Sequence, residues 1–407
     1  MTTATESRDA WYYPPDVAHD LDGDTHLAEA QKKEIIACAY EYTRCVIPHY
    51  TNWKRYVGFV RCMIIGIIAE CRGDLIDENG GDNIFGYSLD GVLAELFEGT
   101  PGHALMAREY KSFLIPAADK SSQRRNGELF RRYVNALASS PRTWFRMRDC
   151  DALSRFTIFS ALACNDIDTV PTDDECELLS EVGIYLYDAV AFYKHRSEGE
   201  TNNTFAYVPW DMRIESFRVA REILWALDAY YVRRPEGPIL INFVRIVGGP
   251  VHMMMRRYRF VEEECTIGRV ETDDIIELAR RKVKLWNRVD VATPLLENEK
   301  SVLSETPGVE RYRNLLARGE EWMFPGLPEY LERGGQCERC VHRSSYGSEI
   351  RHTFGGVRLC QECSETFRAY VGKLPERVRA VYPEIILKTP SQQIIDKKDI
   401  NTSPQGI

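Results

Sequence analysis

Residues 64–74 read IIGIIAECRGD, and this stretch indicates how the chain folds. An apolar run leads directly into Glu70, and Asp74 follows four positions later. Because residues four apart share a helix face, the pattern predicts a buried helix that ends in two neighbouring carboxylates. Such a pair suits Mg²⁺, which prefers oxygen ligands and bridges to substrate phosphates. The alternative interpretation is a solvated helix end in which Arg72 is the ion partner.

The same helical spacing recurs on both sides of this stretch. Glycine, proline and Asp/Asn clusters separate the runs, and few segments alternate with a period of two. The sequence therefore predicts an all-α fold. The predicted helices cover Leu27–Tyr50, Trp53–Arg72, Leu89–Phe97, Leu105–Ala117, Leu129–Leu137, Trp144–Cys164, Cys176–Arg196, Ile214–Tyr231, Ile239–Val261 and Thr272–Arg288.

Changes in composition along the chain predict five regions. They are an irregular N-terminal segment (1–25), a helical domain (26–294), a helical connector (295–335), a small zinc-binding subdomain (336–389) and a polar, disordered tail (390–407).

Composition narrows the functional classes. The 407-residue chain has a net charge of −9, which argues against a nucleic-acid binder because such proteins need clustered positive charge. Residues 1–9 lack the apolar core of a signal peptide, and the longest apolar run, Cys62–Ala69, is too short to span a bilayer. We therefore expect a cytoplasmic protein without stable membrane insertion, in which the cysteines of the helical region are buried, reduced thiols.

Two CxxC pairs near the C-terminus predict a metal site. Cys337 and Cys340 form the first pair, Cys360 and Cys363 form the second, and 19 residues separate them. Four thiolates complete a tetrahedral shell around Zn²⁺, so the ion is expected to be structural. His342 and His352 are substitute ligands. The segment 336–373 carries six Lys/Arg and four Asp/Glu, a near balance that favours a stapled subdomain over a nucleic-acid- or protein-binding finger.

A second acidic stretch, EVGIYLYDAVAFYKHRSEGE, covers residues 181–200. Asp188 lies within an apolar and aromatic helix, where an acid is costly unless it is paired or bound to a metal. Glu181 precedes it by two turns, and Lys194 and Arg196 follow where they could meet a diphosphate. A simple Asp188–Lys/Arg pair explains the same pattern.

Two basic stretches complete the set. SPRTWFRMR (140–148) places Arg142, Arg146 and Arg148 around two aromatic residues, and GGPVHMMMRRYRF (248–260) places basic residues beside three methionines. Fixed cations next to apolar side chains suit an apolar tail with a phosphate head. A solvated basic face beside a packed core is the alternative for each.

The order of these stretches in one α-helical region resembles class I terpene synthases. In that family an aspartate-rich motif and a second acidic motif bind three Mg²⁺, an upstream Arg senses the diphosphate, and a late Arg-Tyr pair closes over it. The resemblance places Glu70, Asp74 and Asp188 as Mg²⁺ ligands and Lys194 near the diphosphate. Arg257 and Tyr258 match the late pair, and either Arg142 or Arg148 matches the sensor. Two departures stand out: Cys71 follows Glu70, and Phe192 and Arg196 occupy the Ser and Glu positions of the second motif.

Longer stretches resemble a narrower group, the fungal α-ionylideneethane synthases, from about residue 10 to 385. The stretches are DAWYYPPDVAHDL, CAYEYTRCVIPHYTNWKRYV, RRYVNALASSPRTWFRMRDCDALSRFTI, YDAVAFYKHRSEGETN, GGPVHMMMRRYRFVEE and KLWNRVD. The resemblance implies a metal-dependent sesquiterpene synthase that lacks the ordinary metal motifs and converts farnesyl diphosphate towards the abscisic acid skeleton. It also implies a downstream oxidase in the pathway. The sequence does not fix the oligomeric state.

The resemblance implies an unusual route, in which deprotonation to a farnesene and isomerisation to an allofarnesene precede reprotonation and ring closure. This route needs an acid–base group, for which Glu181, Glu198 and Glu200 are the candidates, and a lining drawn from Trp144, Tyr185, Tyr187, Phe192, Met253 and Met254. The sequence predicts that Glu70→Gln and Asp188→Asn each abolish turnover and leave the fold intact. The competing functions are a related cyclase with another C15 product and a non-catalytic zinc-finger scaffold.

Overall fold

The computed structural model describes residues 12–77, 83–197, 200–251, 308–333, 337–342 and 356–387. In these ranges the chain is helical apart from two short hairpins, so the all-α prediction is confirmed. The helices are α1 (Glu29–Val46), α2 (Trp53–Cys71), α3 (Leu89–Phe97), α4 (His103–Lys120), α5 (Glu128–Leu137), α6 (Pro141–Asp151), α7 (Ser154–Ala163), α8 (Asp173–Val190), α9 (Phe192–Ser197), α10 (Arg213–Tyr231), α11 (Gly237–Val247), α12 (Val309–Ala317), α13 (Gly319–Trp322), α14 (Leu327–Arg333), α15 (Gln361–Gly372) and α16 (Leu374–Val381).

The two hairpins are both antiparallel. Strand β1 (Asn83–Ile84) pairs with β2 (Tyr87–Ser88), and β3 (Val341–His342) pairs with β4 (Val357–Arg358). Short 3₁₀ turns cover Pro15–Val17, Gly73–Leu75, Gln123–Asn126, Thr204–Ala206 and Trp210–Met212.

Helix α2 is the central helix of the described fold. It begins where the side chain of Asn52 accepts a hydrogen bond from the backbone N–H of Arg55 (3.1 Å), which is a standard N-cap. Nearly every position from Tyr56 to Cys71 is buried, and a helix that is apolar on all sides belongs inside a bundle. Accordingly, α2 packs against α1, α3 and α4.

Helix α8 is the second helix that lines the central cavity. A capping box starts it: Glu175 accepts from the N–H of Thr172 (2.9 Å), and Thr172 accepts from the N–H of Glu175 (3.3 Å). The helix packs against α6, α10 and α11. Residues of α2 and α8 line opposite sides of one cavity.

The C-terminal segment shares the hydrophobic core of the helical body. Phe367, Val371, Leu374 and Val378 of α15 and α16 are buried in the same cluster as the residues of α2 and α8. The five-region division remains a prediction, and regions 1–25, 26–294, 295–335, 336–389 and 390–407 each contain residues outside the described ranges. Among the residues described, no helix is both long and apolar enough to cross a membrane.

Cysteines in the described helical body agree with the expected reduced state. Seven of them are buried and form no disulfide: Cys38, Cys45, Cys62, Cys71, Cys150, Cys164 and Cys176. Cys265 lies outside the described residues.

Candidate active site

A cavity of about 1030 Å³, counting its opening to solvent, lies between α2 and α8 and is closed at the sides by α4, α6 and α11. Its apolar lining comprises Met63, Gly66, Ile67, Phe113, Ala152, Leu153, Gly183, Ile184, Phe243, Val247 and Val251. Its polar lining comprises Glu70, Lys120, Arg148, Asp151, Ser154, Lys194, His195, Glu200 and Asn202, together with the phenols of Tyr42 and Tyr187. The cavity therefore combines an apolar wall with a group of charged residues.

In the first acidic stretch (64–74), α2 ends between Glu70 and Asp74. Glu70 lies in the last turn of the helix and lines the cavity. Helix α2 ends at Cys71, and the chain then passes close to the end of α4. The approach is so close that a Cβ at Gly73 would lie only 2.0 Å from the carbonyl oxygen of Ala118. Asp74 therefore does not continue the helix face of Glu70, and it is absent from the cavity lining.

Asp74 has a partner of its own. Its two carboxylate oxygens accept hydrogen bonds from Arg72 at 3.1 and 3.0 Å, and about half of its side-chain surface is exposed. This arrangement matches the solvated helix end that the sequence allowed. The assignment of Asp74 as a Mg²⁺ ligand stays a prediction that the position of the side chain does not favour.

Arg148 of α6 is the central cation of the cavity. It donates to Asp188 through Nη2 (2.7 Å) and Nε (3.4 Å) and to Asp151 through Nη1 (2.6 Å). Burial alone would lower the pKa of Arg148, but the two carboxylates more than reverse this, so its pKa stays above the usual value. The guanidinium is therefore a permanent positive charge at a fixed place.

Asp188 is fully buried, and its carboxylate is already engaged. Besides Arg148, it accepts hydrogen bonds from the N–H (2.7 Å) and the hydroxyl (2.8 Å) of Thr204. It does not line the cavity, and this arrangement is the Asp188–Arg pair that the sequence left open. Its assignment as a Mg²⁺ ligand stays a prediction, because a metal would have to displace these donors.

The two candidate sensor arginines occupy different places. Arg148 lines the cavity, whereas the Arg142 side chain is 72% exposed and pairs with Glu177 at 3.2 Å. Lys194 also lines the cavity and is buried. A second lysine, Lys120 at the end of α4, lies 3.6 Å from Asp151 and 3.4 Å from Glu200.

The acid–base candidates are likewise separated. Glu200 lines the cavity and accepts hydrogen bonds from the backbone N–H groups of Thr201 (2.9 Å) and Asn202 (3.2 Å). Glu181 lies outside the cavity, where it pairs with Arg377 and accepts from the hydroxyl of Tyr370 (3.3 Å). Burial raises the pKa of Glu181 to about 7, although Arg377 opposes the rise. The structure therefore places Glu200, and not Glu181, at the cavity.

Some predicted residues do not reach the cavity or cannot be located. Tyr187 lines it, but Trp144, Tyr185 and Phe192 are buried elsewhere in the core. The side chains Glu198, Arg257 and Tyr258, together with Met253, Met254 and His352, lie outside the described residues.

Sequence reasoning missed Lys120, Asp151 and His195. For Asp151 a signal was present, because it follows Arg148 by three residues on one helix face and so can pair with it. His195 is adjacent to Lys194 in a stretch that had already been singled out. Lys120 carries no local signal, since only the packing of α4 against its neighbours brings it to Asp151 and Glu200.

The acidic residues of the cavity do not form a preassembled three-ligand metal cluster. Within the described ranges, the only group of three or more Asp, Glu, His or Cys ligand atoms within 4.8 Å of one another is formed by cysteines. Mg²⁺ does not require such a group, because it is commonly held by one or two carboxylates, waters and the phosphates of the substrate. The pair Glu70 and Asp151 therefore fits a Mg²⁺ that arrives with a diphosphate.

The cysteine cluster is Cys337, Cys340, Cys360 and Cys363, and all four sulfur atoms lie within 4.8 Å of one another. The sulfurs of Cys337 and Cys360 are 3.8 Å apart. Ligands about 2.3 Å from a tetrahedral Zn²⁺ are separated by about 3.8 Å, so this spacing fits the ion. The β3–β4 hairpin joins the two CxxC pairs, and the backbone N–H of Cys360 donates to the sulfur of Cys340 (3.3 Å). The predicted metal-binding cluster is thus confirmed as a group of four cysteines.

The cysteine unit, which we define as residues 337–342 and 356–363, contacts the loop that carries Glu200 and Asn202. Gly356 is buried against Tyr207, Val134 and Thr201, and its φ of +87° lies in the region that favours glycine. A Cβ there would lie 3.2 Å from the hydroxyl of Tyr207 and 3.7 Å from the Cβ of Thr201. Thr201 is flanked by Glu200 and Asn202, so the cysteine unit lies next to one wall of the cavity.

The chain is similar to known proteins over most of its length. Residues 9–384 match the family described as "Alpha-ionylideneethane synthase aba3". The "Alpha-ionylideneethane synthase abl3" of Pyricularia oryzae is 56% identical, with 94% of this chain and 84% of the relative covered. The "Alpha-ionylideneethane synthase aba3" of Botryotinia fuckeliana strain B05.10 is 60% identical, with 93% and 84% covered. The abl3 protein of Leptosphaeria maculans is 56% identical, with 93% and 87% covered. Since the family match spans nearly the whole chain, the protein belongs to the alpha-ionylideneethane synthase family.

Proposed function

We propose that this protein is a sesquiterpene synthase that converts farnesyl diphosphate to α-ionylideneethane with loss of diphosphate, an early step of abscisic acid biosynthesis. In terms of reaction class it is a carbon–oxygen lyase that acts on diphosphates. The observation that carries the proposal is the cavity, where an apolar wall adjoins a group of fixed cations. Family membership supplies the reaction type.

Arg148 and Lys194 bind the diphosphate in this proposal. A guanidinium has five N–H donors, and the contacts to Asp188 and Asp151 use three of them, which leaves two for phosphate oxygens. Because Asp188 and Asp151 hold the guanidinium in place, it needs no reorganisation as negative charge develops on the leaving group. Arg142 is too exposed to share this role.

Glu70 and Asp151 are the residues that would hold Mg²⁺ together with the diphosphate. The ion would supply charge neutralisation of the leaving group. These carboxylates also offset the positive charge of Lys120, Lys194 and Arg148 before the substrate arrives, which lowers the cost of burying so many cations. Arg257 and Tyr258 remain candidates for closing over the diphosphate.

The hydrocarbon part of the reaction takes place against the apolar wall. An allylic cation needs surroundings that exclude nucleophiles and offer aromatic faces, and Phe113, Tyr187 and Phe243 line the cavity. Of the three acid–base candidates, we propose Glu200 as the group that takes up and returns the proton. It is the described candidate that lies in the cavity, where Thr201 and Asn202 fix its orientation.

The experiment that tests the proposal is incubation of the purified protein with farnesyl diphosphate, with and without Mg²⁺, followed by gas chromatography–mass spectrometry. We expect a conjugated monocyclic C15 triene that forms only with the metal. A different metal-dependent C15 product would keep the synthase class and overturn the α-ionylideneethane assignment. Absence of any product or diphosphate release would favour the scaffold function.

In the same assay we expect Glu70→Gln to lower kcat by about 100-fold or more, as loss of an electrostatic group in an active site commonly does. The matched control is Asp74→Asn, four residues later, which removes an exposed and ion-paired carboxylate and should leave kcat within about threefold, in line with the small contribution of exposed ion pairs. An equal loss of kcat in both variants would instead support Asp74 as a Mg²⁺ ligand.

We expect Gly183→Ala to change stability and activity in opposite directions. Gly183 lies in the middle of α8, so alanine should raise the free energy of unfolding by about 0.5–1 kcal/mol. The added methyl would lie 3.4 Å from Val247 in the cavity wall, which is ordinary contact. It should lower kcat/KM for farnesyl diphosphate relative to the shorter geranyl diphosphate by about tenfold, since one methyl in an apolar pocket is worth roughly that much.

The matched control is Gly372→Ala, at the exposed end of α15 and away from the cavity. It should leave the ratio of C15 to C10 turnover unchanged. If Gly183→Ala also left that ratio unchanged while raising stability, this part of the cavity would not contact the isoprenoid.

A further inference from the structure

The turn between α6 and α7 forms part of the cavity wall. Asp151, Ala152, Leu153 and Ser154 follow one another in the chain, and all four line the cavity. Leu153 is the N-cap residue of α7 and adopts a left-handed backbone with a φ of +51°. This backbone is costly for a leucine, and a leucine side chain has no acceptor for the N–H groups of the first helical turn. The turn is therefore stabilised by other residues.

Asp149 of α6 provides the acceptor that Leu153 lacks. Its Oδ1 accepts from the backbone N–H of Arg155 (2.9 Å), the second residue of α7. An N-cap side chain ordinarily accepts from this N–H or the next one. The carboxylate also lies at the N-terminus of α7, where the helix dipole favours a negative charge. The cap of α7 thus comes from the preceding helix.

The same carboxylate connects three helices. Asp149 is buried, its Oδ2 accepts from Nε of Arg155 (2.9 Å), and its Oδ1 also accepts from the hydroxyl of Ser180 on α8 (2.9 Å). Arg146 lies further away, with Nη1 3.8 Å from Oδ2. The buried guanidinium of Arg155 also donates to the exposed Asp173 through Nη1 (3.3 Å). Asp149 therefore joins α6, α7 and α8 at one buried point.

Asp149 does not line the cavity itself. Two residues that are two positions apart on a helix point about 200° apart, so Asp149 and Asp151 lie on different faces of α6. Asp151 accepts from Nη1 of Arg148 (2.6 Å) and lies 3.6 Å from Nζ of Lys120. A change in the turn would therefore move Asp151 relative to the cations of the cavity.

We propose that Asp149 is a positioning residue: by capping α7 it fixes the α6–α7 turn, and the turn holds Asp151 where it binds the Mg²⁺ that accompanies the diphosphate. This inference rests on the proposed function, in which Asp151 is one of the carboxylates that hold the ion. Asp149 acts through the backbone of the turn and contacts neither the substrate nor the metal.

Two double variants isolate the cap. Both carry Arg155→Met, so that no buried guanidinium is left unpaired when the charge of Asp149 is removed. In this background Asp149→Asn keeps an oxygen that can accept from the N–H of residue 155 and from the hydroxyl of Ser180. Asp149→Leu has nearly the same shape and no acceptor. The two double variants therefore differ in the hydrogen bonds made by residue 149.

The measurement is calorimetric titration of each full-length variant with inorganic pyrophosphate at a series of MgCl₂ concentrations. We expect the Asp149→Leu double variant to need about 10- to 100-fold more Mg²⁺ for half-maximal binding than the Asp149→Asn double variant. Loss of a residue that orients a metal ligand commonly has an effect of this size. Loss of the cap should also raise the unfolding equilibrium constant, measured in urea, about 2- to 30-fold.

The control for a purely structural effect is Ser140→Ala, which removes the N-cap at the other end of α6. The Oγ of Ser140 accepts from the backbone N–H of Thr143 (3.1 Å), and neither residue lines the cavity. This variant should be destabilised to a similar degree, but its Mg²⁺ requirement should equal that of the wild type. The Mg²⁺ requirement thus separates positioning of Asp151 from general loss of stability.

Equal Mg²⁺ requirements in the two double variants would exclude the positioning role, even if the Asp149→Leu double variant were less stable. A wild type that binds no pyrophosphate in the presence of Mg²⁺ would overturn it as well, because Asp151 would then hold no metal. The role is separable from the reaction. If farnesyl diphosphate gave no product while Asp149→Leu still raised the Mg²⁺ requirement, the proposed reaction would be wrong and the positioning role would stand.

Discussion

Asp188→Asn is expected to lower the free energy of unfolding by about 3–5 kcal/mol, because it leaves the buried Arg148 without its main partner. The carboxylate accepts four hydrogen bonds, two from Arg148 and two from Thr204. An asparagine can present only one oxygen, so its NH₂ group would face either the guanidinium or the N–H of Thr204, both of which are donors. Asp151 still contacts Arg148 and keeps the loss towards the lower end of this range.

The measurement is urea-induced unfolding of the wild type, Asp188→Asn, Arg148→Met and the double variant. In the double variant we expect a smaller loss than the sum of the two single losses, because the buried charges are removed together. Turnover should fall in both single variants, since Arg148 is then misplaced or missing. Unchanged stability of Asp188→Asn, combined with weaker Mg²⁺ dependence, would instead restore Asp188 as a metal ligand and the sequence-based expectation of an intact fold.

Replacing one cluster cysteine, Cys360→Ser, is expected to abolish zinc binding and to loosen the C-terminal segment. Four thiolates around zinc contribute about 10–16 kcal/mol of apparent binding energy in small zinc domains, and this energy stabilises the fold. We therefore expect amide hydrogen exchange in residues 356–387 to accelerate by at least about 100-fold, which corresponds to only a small part of that energy. The wild type should contain one zinc per chain by elemental analysis.

The same experiment tests the contact between the cysteine unit and the cavity. Because Gly356 packs against Thr201 and Tyr207, exchange in residues 200–207 should also accelerate, and turnover should fall with it. The control is Cys176→Ala, which replaces a buried cysteine of α8 outside the cluster. This variant should retain one zinc per chain. Unchanged exchange at 200–207 after zinc loss would mean that the cysteine unit stabilises itself and not the cavity.

A comparison of predicted and observed helix ends shows how accurately local sequence predicts the helices. The predicted Leu89–Phe97 helix agrees with the structure, and Trp53–Arg72 and Leu129–Leu137 differ from α2 and α5 by one residue at one end. The predicted Trp144–Cys164 helix, however, is broken between α6 and α7, where Leu153 takes a φ of +51°. No glycine or proline marks this break. A leucine adopts such a backbone only when surrounding contacts compensate its cost of about 1–3 kcal/mol, and Leu153 is buried in the cavity wall.

The sequence by itself determined the helical class, most helix positions, the four metal-binding cysteines and, through long stretches of resemblance, the family. These features depend on residues near one another in the chain, since the period of a helix and the spacing of a CxxC pair are local. Only the tertiary structure decided which charged groups meet. Asp188 pairs with Arg148, which is 40 residues away in the sequence, and Glu181 pairs with Arg377, which is 196 residues away. Asp74 lies outside the cavity because α2 ends three residues before it. A buried charge pairs with the group that helix packing brings within hydrogen-bond distance, and the local spacing of residues does not predict which group that is.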